Sequence, residues 1–155
     1  MAKIKPLKAT PYVKGFNNRE VAVLSSIVEE REIEPGAPIA EENAESEEML
    51  IVAKGSLVLR IGLPDGKAME LLTLSEGRSF AELALVGEGP RVVSAHAGPQ
   101  GARVLSIRRG DFEKLLRSDA KVAAKFLSGI LREVGAVARA GAVQIKKILA
   151  ASAKS

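Results

Sequence analysis

Short apolar runs separated by turn-forming residues occupy the middle of this chain. Each run is five to seven residues long, which suits β-strands better than helices. The runs are MLIVA (49–53), SLVLRIG (56–62), MELLTL (69–74), VVSAHA (92–97) and ARVLSI (102–107). LPDGK at 63–67 joins two of them as a hairpin, because proline presets φ and glycine accepts a positive φ. In a chain of 155 residues this pattern predicts one β-rich domain.

A helical pattern precedes these runs. Apolar residues recur on one face from Asn18 to about Glu30, and Asn17 or Asn18 is available as the N-cap. Together with the helices predicted after the last run, this pattern divides the chain into three parts. They are a basic N-terminal arm (1–17), a β-rich unit with flanking helices (18–118) and a C-terminal helix with its tail (119–155).

Two helices are predicted after the last apolar run. Asp111 can cap a short helix, and a long helix runs from Asp119 to about Ala151. One apolar stripe on the long helix has the alternating four- and three-residue spacing of a helix seam: Leu127, Leu131, Val134, Ala138, Gly141, Ile145, Ile148. A second stripe lies on another face: Val122, Phe126, Ile130. We expect one stripe to be buried against the β-rich unit and the other to form a homodimer. Burial of both within one monomer is the alternative.

The composition argues against several kinds of catalytic site. The sequence has no cysteine, which excludes disulfides, thiolate-bound zinc and cysteine nucleophiles. His96 is the single histidine, so a histidine metal site or a Ser-His-Asp triad lacks supporting residues. No glycine-rich loop is followed by Lys and Ser or Thr, as a nucleoside-triphosphate site requires. We therefore predict no catalytic residues, metal or cofactor, and a protein that binds a ligand and is not an enzyme.

The charge distribution bears on partners and location. A net charge of +4 invites a nucleic-acid partner, but the lysines cluster toward both ends of the chain. One Tyr and four Phe leave few side chains for base stacking. The N-terminus lacks the apolar core of a signal peptide, and no apolar run approaches the length of about 18 residues that spans a membrane. These features predict a cytoplasmic protein without a membrane segment.

The segment FAELAL at 80–85, followed by Pro90 and Arg91, carries the candidate binding groups. It offers one carboxylate, Glu82, and one guanidinium, Arg91, in an otherwise apolar stretch. Arginine matches phosphate oxygens with two parallel hydrogen bonds, and a carboxylate accepts from vicinal sugar hydroxyls. The pair therefore fits a ribose phosphate. An ion pair between Glu82 and Arg91 across a loop is the alternative.

This segment resembles the phosphate-binding cassette of the cyclic-nucleotide-binding domain family, whose pattern is F-G-E-L-A-L, a loop, and P-R-A-A-T. The resemblance continues along the chain at Pro35-Gly36, Gly55, Asp65-Gly66, Gly77, Arg109 and Asp111-Phe112. It implies a mainly β fold, an eight-stranded antiparallel jelly roll (double-stranded β-helix) with a flanking N-terminal helix and long C-terminal helices. The last helix would close over the ligand.

The resemblance also assigns roles in binding cAMP or cGMP. Glu82 would accept from the ribose 2′-OH, and Arg91 would bind the cyclic phosphate. Backbone N–H groups near Leu83, Ala84 and Val93 would complete the phosphate cradle, and a hydroxyl could come from Ser94. Three residues depart from the family pattern: Ala81 replaces a glycine, and Val92 and Val93 replace smaller residues.

Two functions follow from this comparison. The first is a stand-alone cyclic-nucleotide sensor in which the ligand moves the C-terminal helix and changes a dimer or regulated protein partner. The second is a degenerate domain that binds no nucleotide and serves as an interaction or dimerisation scaffold. The methyl groups added at Ala81, Val92 and Val93 favour it, because each overpacked site in a tight pocket costs roughly 1–3 kcal/mol. A helix-turn-helix transcription regulator is a third idea, but only a few residues remain after the long helix in a chain that ends AASAKS, so we expect no sequence-specific DNA binding.

Overall fold

The computed structural model describes residues 3–45, 47–87 and 90–153. Within these ranges the helices are α1 (Ile4–Lys8), α2 (Asn18–Ser25), α3 (Arg109–Ser118) and α4 (Ala120–Ala153). The strands are β1 (Val28–Ile33), β2 (Pro38–Ala40), β3 (Glu48–Gly62), β4 (Ala68–Leu74), β5 (Ser79–Phe80) and β6 (Ser94–Arg108). Short 3-10 turns cover Pro11–Val13 and Glu82–Leu85.

The strands form one antiparallel sheet of the jelly-roll kind, followed by the two C-terminal helices. β6 pairs with β1, β2 and β3, and β3 pairs in addition with β4 and β5. The predicted hairpin at 63–67 joins β3 to β4, with Leu63 N–H donating to the Lys67 carbonyl at 2.7 Å. The structure confirms a sheet-rich fold of the jelly-roll kind with C-terminal helices, in which the strands are accompanied by a comparable length of helix.

The predicted count of eight strands is not confirmed, because the structure describes six in its resolved ranges. The runs 49–53 and 56–62 are both part of β3, and β6 begins inside the run 92–97 and contains all of 102–107. Gly55 and Gly101 have φ values of +78° and +77°, and a Cβ on Gly55 would collide with the Gly101 carbonyl. Each long strand therefore bends at a glycine, and the β3–β6 register shifts there, from Gly55 opposite Ala102 to Leu57 opposite Ala97.

The N-terminal half differs from the prediction at helix α2. This helix ends at Ser25, whereas its predicted end was near Glu30. Asn17 is the N-cap and forms a capping box with Glu20, with hydrogen bonds of 2.8 and 3.0 Å. The chain then enters β1, whose Val28 lies opposite Ile107 of β6. The short strands β2 and β5 and the helix α1 were not predicted.

The core consists of two clusters of buried side chains. One lies inside the folded sheet and contains Leu50, Leu57, Phe80, Ala95 and Val104. The other joins the N-terminal segment, the helices and one end of the sheet, and contains Leu7, Tyr12, Leu105, Phe112 and Phe126. The N-terminal segment is therefore folded against the helices.

Helix α4 confirms the prediction of one long C-terminal helix. It has 34 residues, and the side chain of Asp119 accepts from the Val122 N–H at 3.3 Å at its start. The stripe Val122, Phe126 and Ile130 is buried in the core. Beyond Ile130 the helix leaves the core, and the seam residues Leu131 and Ile145 are 69% and 58% exposed. Burial of both stripes in one monomer is therefore not what the structure shows.

Among the described residues, none of the helices combines the length and apolarity needed to cross a bilayer.

Candidate functional site

The FAELAL segment forms a tight turn that leads from β5 into a 3-10 helix. Ala81 takes the left-handed conformation, with φ 64° and ψ 38°, and its carbonyl accepts from Ala84 N–H at 3.0 Å. Ala84 and Leu85 are buried and anchor the turn in the core, while Leu83 points outward and is 72% exposed. This geometry explains why the family pattern has glycine at the position of Ala81.

Replacing Ala81 with glycine is expected to stabilise the fold. A non-glycine residue in the left-handed conformation costs about 1–2 kcal/mol, and substitution with glycine removes this cost. The added glycine also gives the unfolded chain more conformational freedom, which offsets up to about 1 kcal/mol of that gain. We expect Ala81→Gly to raise the free energy of unfolding in urea by about 0.5–1 kcal/mol. Ala124→Gly, at an exposed position in α4, is the control and should lower it. Equal losses in the two variants would contradict the strain at Ala81.

Arg91 is held by a loop that precedes β3. Its backbone N–H donates to the Ala44 carbonyl at 2.8 Å, and its carbonyl accepts from Asn43 N–H at 2.7 Å. The guanidinium Nη1 donates to the Glu45 carbonyl at 3.0 Å. The Nε atom is buried and has no hydrogen-bond partner among the described residues. The sequence did not reveal this anchor.

Glu82 is held from the other side of the turn. Its Oε1 accepts from the Ser79 hydroxyl at 2.6 Å, and the Ser79 Oγ accepts from the Tyr12 hydroxyl at 2.6 Å. Burial raises the pKa of the Tyr12 phenol, and the negative charges of Glu82 and Glu133 act in the same direction. Tyr12 is therefore a protonated donor at neutral pH. Neither Tyr12 nor Ser79 was singled out from the sequence.

Glu82 and Arg91 line one cavity of about 520 Å³. Of the predicted site residues, Ala81, Leu83, Ala84, Val92 and Val93 line it with them, whereas Ser94 does not. Among the ion pairs of the described residues none joins Glu82 to Arg91, so their mutual pairing is not what the structure shows.

A second cavity lies on the other side of Glu82. It has a volume of about 490 Å³ and is bounded by β4, the FAELAL turn and α4. Its apolar lining comes from Leu72 and Leu74 of β4 and from Val134 and Val137 of α4. Glu82 therefore lines both the cavity that contains Arg91 and the cavity between β4 and α4.

The valines after Arg91 occupy different environments. Val92 is 75% exposed, so its extra methyl groups project outward and do not crowd the core. Val93 packs against the cluster inside the sheet. Ser94 is the first residue of β6, and its hydroxyl donates to the Arg60 carbonyl across the sheet at 3.4 Å. Both valines, like Ala81, line the cavity that contains Glu82 and Arg91, where the sequence predicts that added methyl groups would crowd a ligand.

This chain is similar in sequence to known proteins over the segment that contains Glu82 and Arg91. The model of the cyclic nucleotide-binding domain matches residues 30–119, which include the FAELAL turn and Arg91. The type II regulatory subunit of cAMP-dependent protein kinase from Drosophila melanogaster is 26% identical over 110 residues, covering 71% of this chain and 29% of that protein. The chain therefore spans less than a third of the length of that relative.

Two solved structures are similar in fold. A cyclic nucleotide-binding domain from Methylobacillus flagellatus superposes with a TM-score of 0.84 at 18% identity, covering 93% of this chain and 83% of that one. The catabolite activator protein of Thermus thermophilus gives a TM-score of 0.72 at 26% identity, covering 88% of this chain and 63% of that one. Because the family match extends over residues 30–119 and includes both the FAELAL turn with Glu82 and Arg91 after it, this chain belongs to the cyclic nucleotide-binding domain family.

Proposed function

We propose that the chain is a regulatory module that binds cAMP or cGMP in the cavity shared by Glu82 and Arg91. The cyclic phosphate lies at Arg91, and the ribose 2′-OH donates to Glu82. One observation carries this proposal: the two groups line the same cavity without pairing, and the buried Arg91 Nε lacks a partner among the described residues.

The state of Arg91 favours an anion. Buried polar atoms in folded proteins almost always have a hydrogen-bond partner, so an unpaired guanidinium N–H marks a place where an acceptor is missing. The bond from Nη1 to the Glu45 carbonyl fixes the guanidinium plane. A phosphate oxygen at Nε would satisfy the unpaired donor with a charge-assisted hydrogen bond.

The second cavity offers a place for the base. A ligand with its phosphate at Arg91 and its ribose at Glu82 would extend into the space between β4 and α4, where Leu72, Val134 and Val137 present apolar surface. Since Val134 and Val137 belong to α4, a bound base would contact that helix directly. A ligand that makes different contacts with two positions of α4 shifts the balance between them, which is what regulation requires.

We further propose that two copies pair through the exposed part of α4. The seam residues from Leu131 to Ile148 cover a length of about 25 Å along the helix. Positions beside the seam carry no charge: Gly135, Val137, Ala142, Gln144, Leu149 and Ala151. The basic residues Arg132, Arg139 and Lys146 lie farther from the seam, so two parallel copies would meet without like charges facing each other.

Calorimetric titration with cAMP, cGMP and cyclic dinucleotides tests the ligand. We expect saturable binding of cAMP or cGMP with one site per chain. The linear nucleotide 5′-AMP is the control, because it has the same base and ribose without the cyclic phosphate, and it should bind more weakly. If none of the cyclic nucleotides produces heat, the sensing function is wrong and the scaffold function replaces it.

A further inference from the structure

A chain of two hydrogen bonds connects the N-terminal segment to Glu82. The Tyr12 hydroxyl donates to Ser79 Oγ, and the Ser79 hydroxyl donates to Glu82 Oε1, both at 2.6 Å. We propose that Ser79 and Tyr12 are positioning residues, which hold one oxygen of Glu82 so that the other, Oε2, is presented to a hydroxyl of the ligand. This inference rests on the proposed function, in which Glu82 accepts from the ribose 2′-OH.

The chain of hydrogen bonds is fixed at each end. Ser79 belongs to β5 and lies opposite Ile51 of β3, so its backbone is set by the sheet. Tyr12 is only 3% exposed, and its ring packs edge-on against Phe126 of α4, with centroids 6.4 Å apart. Donors that cannot move restrict the acceptor, so Glu82 is limited to the rotamers that keep the bond to Ser79.

Tyr12 is also locked to α4 through its backbone. Gly129 of α4 faces it so closely that a Cβ at this position would lie 2.5 Å from the Tyr12 carbonyl oxygen. The helix that would cover the ligand therefore packs directly against the residue that orients Glu82. A displacement of α4 would alter the position of the Tyr12 hydroxyl and, through Ser79, the orientation of the Glu82 carboxylate.

The benefit for binding is preorganisation. A free glutamate side chain has several rotamers, and a ligand that selects one of them loses affinity because of the entropy of immobilisation. Ser79 imposes that restriction before the ligand arrives. Removing its hydroxyl should weaken binding about three- to tenfold, as expected from the cost of ordering one flexible side chain. Removing the Tyr12 hydroxyl acts one bond farther away and should weaken binding less.

The test compares a ribonucleotide with its 2′-deoxy analogue. Ser79→Ala and Tyr12→Phe are titrated calorimetrically with cAMP or cGMP, whichever the parent binds more tightly, and with the corresponding 2′-deoxy compound. We expect both variants to bind the ribonucleotide more weakly than the parent does. They should bind the deoxy analogue with the affinity of the parent, because that analogue has no hydroxyl for Glu82. Ser118→Ala, an exposed serine at the end of α3 that lines neither cavity beside Glu82, is the control and should bind both like the parent. Equal losses with both ligands, or none, would overturn the positioning role.

A second measurement needs no ligand. The free energy of unfolding in urea is measured for Tyr12→Phe, Ser79→Ala and the double variant. The double variant should lose less stability than the sum of the two single losses, because both substitutions break the same chain of hydrogen bonds. Additive losses would overturn the inference. A parent that binds no nucleotide would instead refute the proposed function and, with it, the role of these residues in binding, even where the unfolding data show that the chain of hydrogen bonds exists.

Discussion

Arg91→Ala is expected to weaken the binding of cAMP or cGMP by roughly thirtyfold to several thousandfold. Truncating one partner of a desolvated charge pair costs on the order of 2–5 kcal/mol, at about 1.4 kcal/mol per factor of ten. No other arginine lines the cavity that contains Glu82 and the FAELAL turn in the described part of the chain. The variant leaves the phosphate without its charged donor, and isothermal titration calorimetry measures the loss.

Two further variants separate charge, geometry and folding. Arg91→Lys keeps the charge but not the two parallel donors, so it should restore only part of the affinity. Arg108→Ala removes the same charge from a 66% exposed side chain that lines the neighbouring cavity, and it should bind like the parent. Circular dichroism establishes that all three variants are folded, since Arg91 also binds the Glu45 carbonyl. Parent-like affinity in Arg91→Ala would place the phosphate elsewhere.

The sequence predicted those elements of the fold whose structure depends mainly on residues close together in the chain. The hairpin at 63–67 follows from proline and glycine chemistry, and α4 follows from a helical period that continues after the Asp119 cap. The FAELAL turn and Arg91 are recognisable because their spacing along the chain is short. Ala81 stands where the family pattern has a glycine, and the structure has φ 64° there.

Strand β1 could not be identified by its apolar period. Its sequence, VEEREI, has four charged residues between Val28 and Ile33, which favoured an extension of the preceding helix. In the sheet these charges are compensated across strands, with Arg103 of β6 lying 3.2 Å from Glu30 and 2.6 Å from Glu32. Cross-strand ion pairs of this kind stabilise a strand only after its partner, some seventy residues later, has been placed.

The support of the candidate site was unpredictable for the same reason. Tyr12 and Ser79 are 67 residues apart in sequence, and Arg91 and Glu45 are 46 apart. The residues around each of these positions do not identify its partner, because side-chain hydroxyls and backbone carbonyls occur in most segments of a protein. The residues that touch a ligand were therefore accessible from the sequence pattern, whereas those that orient them required the fold.

Ile145→Glu is expected to dissociate the proposed dimer while leaving the β-rich unit folded. Ile145 is 58% exposed in the single chain and lies in the α4 seam, and it is a cleaner choice than Val134, which also lines the cavity beside Glu82. In a parallel pair the two introduced carboxylates would face each other in an apolar interface. Burying charges without partners costs at least about 3 kcal/mol, which weakens association by roughly a hundredfold or more.

Val143→Glu provides the matched control for this experiment. Val143 lies two residues away on the same helix and has a similar exposure of 51%, but it falls outside the seam, so the same substitution should leave the dimer intact. Analytical ultracentrifugation over a range of concentrations measures both association constants. Since Ile145 is solvent-exposed and belongs to neither core cluster, circular dichroism should show a folded β-rich unit in both variants. A monomeric parent, or equal effects of the two substitutions, would show that the exposed stripe of α4 does not pair with a second copy.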